Sequence, residues 1–194
     1  MRLDTLHNGY SRKDKVLFNV IRLFSGHPLP DAAKITFYRP DFYGNHAKAF
    51  TQQAMRGPSA WSVADRELMA AYVSKANDCA FCIGAHTATA TQASHDEPRV
   101  AAVLADLDTA PIEEPLRATL RMLGTLTRTG TVTADDMRQA FDAGATSAQL
   151  ADALAVGAAF NLTNRLSDAF GFELLSQKGY DAGAKFLLKR GYGG

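Results

Sequence analysis

"SVADRELMAAYVSKANDCAFCIGAH", residues 62–86, decides how the fold is read. Ser62 followed three residues later by Asp65 is a pattern that caps the unpaired N–H groups of a helix's first turn. Apolar residues then recur at three- and four-residue intervals through Leu68, Met69, Tyr72 and Val73, the period of an α-helix. Asn77 or Asp78 can cap a second helix. The stretch therefore reads as a helix over about 62–76, a short polar joint and a second helix that can fold back against the first.

Both cysteines of the chain lie on that second helix. At about 100° per residue, Cys79, Cys82 and His86 fall within roughly 60° of one another on one face. Unpaired N–H groups at a helix N-terminus favour an anion and lower the pKa of a nearby thiol. A thiolate made there attacks a peroxide or a disulfide, and a second cysteine one turn away can close an intramolecular disulfide. His86, one turn beyond Cys82, can accept its thiol proton. A hairpin would bring Glu67 back to the His86 turn, giving an orienting acid, a base and a nucleophile in the order Glu67, His86, Cys82. Two other readings stand beside redox chemistry. Glu67, Cys79, Cys82 and His86 could supply four zinc ligands, or the thiols could be inert core. Tyr72 and Phe81 could line a substrate pocket, but aromatic residues on helices more often pack.

Away from the hairpin the pattern stays helical. Thr133 with Asp136 and Thr146 with Gln149 repeat the capping pattern, placing helices at about 134–143 and 147–170. Pro98 and Pro115 suit first turns of helices near 98–107 and 113–129, and Gly130 and Gly144 sit where helices should stop. Alternating β-branched runs are nearly absent, and only "AKITFYRPDFYG" (33–44) reads as strand-like or irregular, broken by Pro40 and Gly44. We read the chain as all-α. The segments 62–93 and 133–170 share a plan of capped helix, break and second helix, which fits either a duplication or the common look of short helices joined by tight turns.

Length and charge narrow the function. The 194 residues form one domain, 1–194, by this reading, with 21 Lys and Arg against 20 Asp and Glu, interspersed. Nothing in that balance attracts nucleic acid. The charged stretch "MRLDTLHNGYSRKDKVLF" lacks the apolar run of a secretory signal, and no segment approaches the roughly 18 apolar residues of a membrane helix. A cytoplasmic location is expected, where closely spaced cysteines are more often catalytic or metal-binding than a permanent disulfide. His7, His27, His46 and His95 do not cluster as ligands. Asn161 with Arg165 and Asn164 with Asp168 form i, i+4 pairs that read as a polar network or subunit contact. The tail "KFLLKRGYGG" reads as frayed or docked on a neighbour.

Glu67, eleven residues, Cys79, two residues, Cys82, three residues and His86 reproduce the Glu-X11-Cys-X2-Cys-X3-His signature of the alkylhydroperoxidase D family, within the carboxymuconolactone decarboxylase superfamily. "RPDFYGNHAKAFTQQAMRGPSAWSVADRELMAAYVSKANDCAFCIGAH" resembles the peroxidase-related branch, and "GAAFNLTNRLSDAFGF" (157–172) resembles a helix these proteins carry later in the domain, so the similarity spans about residues 37–172. The resemblance implies the family's all-helical fold, a homo-oligomer (dimer, trimer or hexamer) and thiol-dependent, antioxidant reduction of organic hydroperoxides or protein disulfides. It implies Cys82 as the attacking thiolate, Cys79 as the resolving and more exposed partner, and Glu67 with His86 as the proton relay. No haem, flavin or metal is implied. As reductant the resemblance implies an external dithiol such as lipoamide, or a thioredoxin-like protein. Phe81 stands where the best-known members have histidine. A disulfide oxidoreductase acting on a protein, and a non-catalytic or zinc-binding member of the fold, are the alternatives.

Overall fold

A computed structural model describes residues 9–193; His7 and the start of the charged N-terminal stretch lie outside them. The described chain forms α1 (Arg12–Ser25), α2 (Asp31–Tyr38), a π-helical turn (Pro40–Gly44), α3 (Asn45–Arg56), α4 (Val63–Ala76), α5 (Ala80–Ser94), α6 (Glu97–Ala105), α7 (Glu114–Thr129), α8 (Ala134–Asp142), α9 (Ser147–Phe170) and α10 (Gln177–Arg190). No strand occurs among the described residues.

The expected caps operate. Ser62 accepts from the Asp65 N–H at 3.0 Å to start α4. Thr133 with Asp136 and Thr146 with Gln149 close reciprocal capping boxes at α8 and α9. The joint between α4 and α5 differs from expectation. Asn77 ends α4, Asp78 takes a left-handed φ of 54°, and Cys79 rather than Asn77 or Asp78 occupies the N-cap of α5. Asp tolerates that conformation better than most residues, which lets three residues reverse the chain.

The strand-like reading of 33–44 is overturned. Ile35 is buried, with Ala32, Phe37 and Tyr38 packed beside it in one cluster, so helical packing overrides the β-branched local preference. α1 and α10 were not expected from the sequence, and Lys185 to Arg190, in the stretch read as frayed or docked on a neighbour, complete α10. The two segments read as a duplication have unlike helix lengths, 14 and 15 residues for α4 and α5 but 9 and 24 for α8 and α9.

Two apolar cores result. The larger joins Leu68, Met69 and Val73 of α4 to Leu120 and Leu123 of α7 and Phe160 of α9. Each fully buried leucine there contributes about 1.5–3 kcal/mol of apolar transfer. The smaller contains Ile35, Cys79, Phe81, Cys82, Phe172 and Tyr180. Close approach of α10 to α5 depends on Gly84, where a Cβ would lie 2.6 Å from the Tyr180 ring. The hairpin of α4 and α5 thus lies between both cores. No helix is long and apolar enough to cross a membrane among the described residues.

Candidate active site

Glu67 sits in the first half of α4 and is completely buried. Antiparallel return of α5 brings His86 Nδ1 to 2.8 Å from Glu67 Oε2. Arg56, at the end of α3, donates to Oε1 at 2.6 Å. The Tyr192 hydroxyl donates to both oxygens, at 2.9 Å and 3.1 Å. Burial alone would raise the Glu67 pKa, but the hydrogen bond and charge of His86, then those of Arg56, outweigh it and hold the carboxyl below its ordinary value. An ionised carboxylate only accepts, so Nδ1 of His86 carries the proton and Nε2 is left to exchange protons elsewhere. Phe160 packs edge-on against the imidazole at 4.3 Å between ring centres, fixing its plane.

The thiols form a second unit on the same helix. Both are free, and both are buried, at 0 % exposure for Cys79 and 1 % for Cys82. Neither thiol is open to solvent. The hydrogen bond from the Cys82 thiol brings the Cys79 pKa down to about 7 against the opposing effect of burial, with Ser167 assisting. The same bond and burial push the Cys82 thiol up. These directions favour the proton on Cys82 and the charge on Cys79 in the resting dithiol, whereas the resemblance implies Cys82 as the attacking thiolate. The groups that shift the two thiols are each other and Ser167 of α9, while the imidazole of His86, one turn beyond Cys82, is turned to Glu67.

A cleft of about 260 Å³ lies beside the pair, lined by Phe81, Ser167, Phe172 and Leu174, with Asp78 and Asp168 among its walls. Ser167 connects the cleft to both sulfurs. Phe81 packs edge-on with Phe172 at 5.5 Å, so it serves core and cleft wall together, whereas Tyr72 packs on the larger core.

Among the described residues no group of three His, Cys, Asp or Glu side chains is arranged to hold a metal ion. Glu67 and His86 face each other while the sulfurs face Ser167, so the four zinc ligands considered above do not converge. The later polar residues are also redistributed. Arg165 bonds the Asn161 carbonyl and side chain at 2.9 Å and 3.2 Å, as expected, but Asn164 is buried and accepts from Ser74 at 3.1 Å rather than pairing with Asp168. His46 is exposed, His27 is half-buried, and His95 caps α5 in a left-handed conformation.

The sequence profile of the carboxymuconolactone decarboxylase family matches residues 43–123, a span holding Arg56, Glu67, both cysteines and His86. Over that span the chain is similar to the carboxymuconolactone decarboxylase family. Its fold is all-α and alkylhydroperoxidase D-like. It is similar to a peroxidase-related protein, described as uncharacterized, from Silicibacter sp. TM1040, with a TM-score of 0.76 at 23 % identity over 92 % of this chain and 93 % of that one. It is also similar to an alkylhydroperoxidase AhpD core, an uncharacterized peroxidase-related protein from Ralstonia eutropha JMP134, with a TM-score of 0.74 at 20 % identity over 91 % and 92 %. No curated protein sequence matches it.

Three residues of the site escaped the sequence reading. Arg56 lies within the superfamily span but carries no spacing signal, being one of many helix cations. Ser167 and Tyr192 lie beyond that span and reach the site only through the packing of α9 and α10.

Proposed function

We propose that this protein is a thiol-dependent peroxidase that reduces organic hydroperoxides through Cys79 and Cys82, with Glu67 and His86 as its proton relay. One observation carries the reading: two free, buried thiols one helical turn apart share a helix with an imidazole held by a buried carboxylate.

The chemistry balances without a metal or a bound prosthetic group. The Cys82 proton passes to Cys79 or is taken up at His86, and the Cys82 thiolate attacks the outer oxygen of ROOH. The O–O bond breaks, RO⁻ takes a proton from the relay and leaves as ROH, and Cys82 becomes a sulfenic acid. Cys79, deprotonated, then attacks that sulfur and expels hydroxide, which leaves as water with a further proton. Two thiols have given two electrons, and a Cys79–Cys82 disulfide remains. An external dithiol, lipoamide-like or a thioredoxin-like protein, reduces it by exchange. We place the protein in the cytoplasm, in an antioxidant role, as a homo-oligomer. The exposed apolar face of α1, formed by Val16, Val20, Leu23 and Phe24, supports association.

A specific observation favours a second reading. The lowered thiol of Cys79 at the helix N-cap suits disulfide exchange with a protein partner, Cys79 attacking first. A pulse of stoichiometric organic hydroperoxide on the reduced protein, followed by thiol counting and intact mass, separates the two. Rapid loss of both thiols supports the peroxidase; thiols that stay free in peroxide yet exchange with a disulfide support the oxidoreductase.

A further inference from the structure

The last described residues of the chain turn back into the site. Gly191 takes a φ of 71°, which favours glycine, and directs the chain inward after α10. The N–H groups of Tyr192 and Gly193 then both donate to Gln52 Oε1 of α3, at 2.6 Å and 3.2 Å. Held by that clamp, the Tyr192 ring lies under the Arg56 guanidinium at 5.0 Å and nearly parallel to the His86 ring at 6.4 Å. Its hydroxyl meets both oxygens of Glu67.

We propose that Tyr192 is a positioning residue for the Glu67–His86 pair: its hydroxyl, delivered by the C-terminal tail and clamped by Gln52, keeps the buried carboxylate ionised with Oε2 turned to His86. The assignment rests on the reading of that pair as the proton relay. A fully buried carboxylate depends on donated hydrogen bonds, and Glu67 receives them from Arg56, His86 and Tyr192. Removing one donor destabilises the charged form and raises its pKa. Burial, and then the charge of Glu67, push the Tyr192 hydroxyl well above its ordinary value, so it remains a donor and does not serve as a base.

Tyr192→Phe tests this, because it keeps the ring over Arg56 and beside His86 and removes only the O–H. Nitrogen NMR of His86 in the reduced protein follows the pair without any peroxide. The titration midpoint of the Glu67–His86 pair is expected to move up by about one pH unit, since fewer hydrogen bonds leave the carboxylate more basic. Gln52→Ala, which frees the tail without touching the pair, should shift it in the same direction, and carries the test if Tyr192→Phe does not fold. An unmoved titration in a folded Tyr192→Phe protein overturns the proposal, even if its melting temperature falls, because packing alone would lower the latter. If the titration moves while the wild-type protein reduces no hydroperoxide, the peroxidase reading fails and the positioning role stands.

Discussion

His86 Nδ1 lies 2.8 Å from Glu67 Oε2 at a place where the carboxylate has no contact with solvent. That single bond closes the helix hairpin across its two strands of sequence and aligns the imidazole on the same helix as the thiols. It also makes the site electrostatically dependent on Arg56, because a buried anion is tolerated only when its partners are in place.

Arg56→Met should accordingly cost about 3 kcal/mol of stability, the penalty for leaving a buried charge short of its partner. Denaturant midpoints at neutral pH check this. Glu67 is held below its ordinary pKa, so the unfolded chain binds the proton first. Its contribution is therefore present above the ordinary carboxyl range and is lost as pH falls through the lower folded value. Glu67→Gln should flatten the acid side of the stability profile; a profile that keeps the wild-type slope would mean that Glu67 is not the group responsible.

The thiolate assignment predicts the pH dependence of alkylation. Iodoacetamide should react with a midpoint near pH 7, the lowered value of Cys79, below the usual thiol value of about 8.5. Cys82→Ala removes the donated hydrogen bond and should move that midpoint up toward or beyond the usual value. Mass mapping of the alkylated position checks that the reacting sulfur is Cys79.

Exchange of each cysteine decides the attacking sulfur. Under the proposed peroxidase, Cys82→Ser abolishes turnover, while Cys79→Ser consumes one equivalent of hydroperoxide and accumulates a sulfenic acid that dimedone traps. Trapping at Cys79 in the Cys82→Ser protein instead would transfer the attack to the thiolate of the resting pair.

Asp78 and Asp168 line the cleft beside the sulfurs, and among the described residues no cationic side chain joins them in its walls. Anionic iodoacetate should therefore react more slowly than neutral iodoacetamide, by several-fold at low salt. The gap should narrow in Asp168→Asn and near 0.1 M salt, where screening acts over about 10 Å. Equal rates for both reagents at low salt would show that reagents approach by another path.

Much of the helical plan was legible because its signals are local. Ser62, Thr133 and Thr146 cap helices through bonds three residues long, and Pro98 and Pro115 occupy first turns as their missing N–H groups dictate. The 33–44 segment was misread because β-branched and aromatic residues signal a strand locally, while the surface against which Ile35 packs is assembled from distant parts of the chain.

By itself the sequence determined that this chain is helical, that its two cysteines sit one turn apart at a helix start, and that Glu67 and His86 are spaced to meet across a hairpin. These follow from the 3.6-residue period and from capping chemistry, both of which act over a few residues. Tertiary structure alone decided how the charges are compensated and which groups surround the thiols. Arg56, Ser167 and Tyr192 arrive from α3, α9 and the tail beyond α10, and burial in a low-dielectric interior makes each of their hydrogen bonds count.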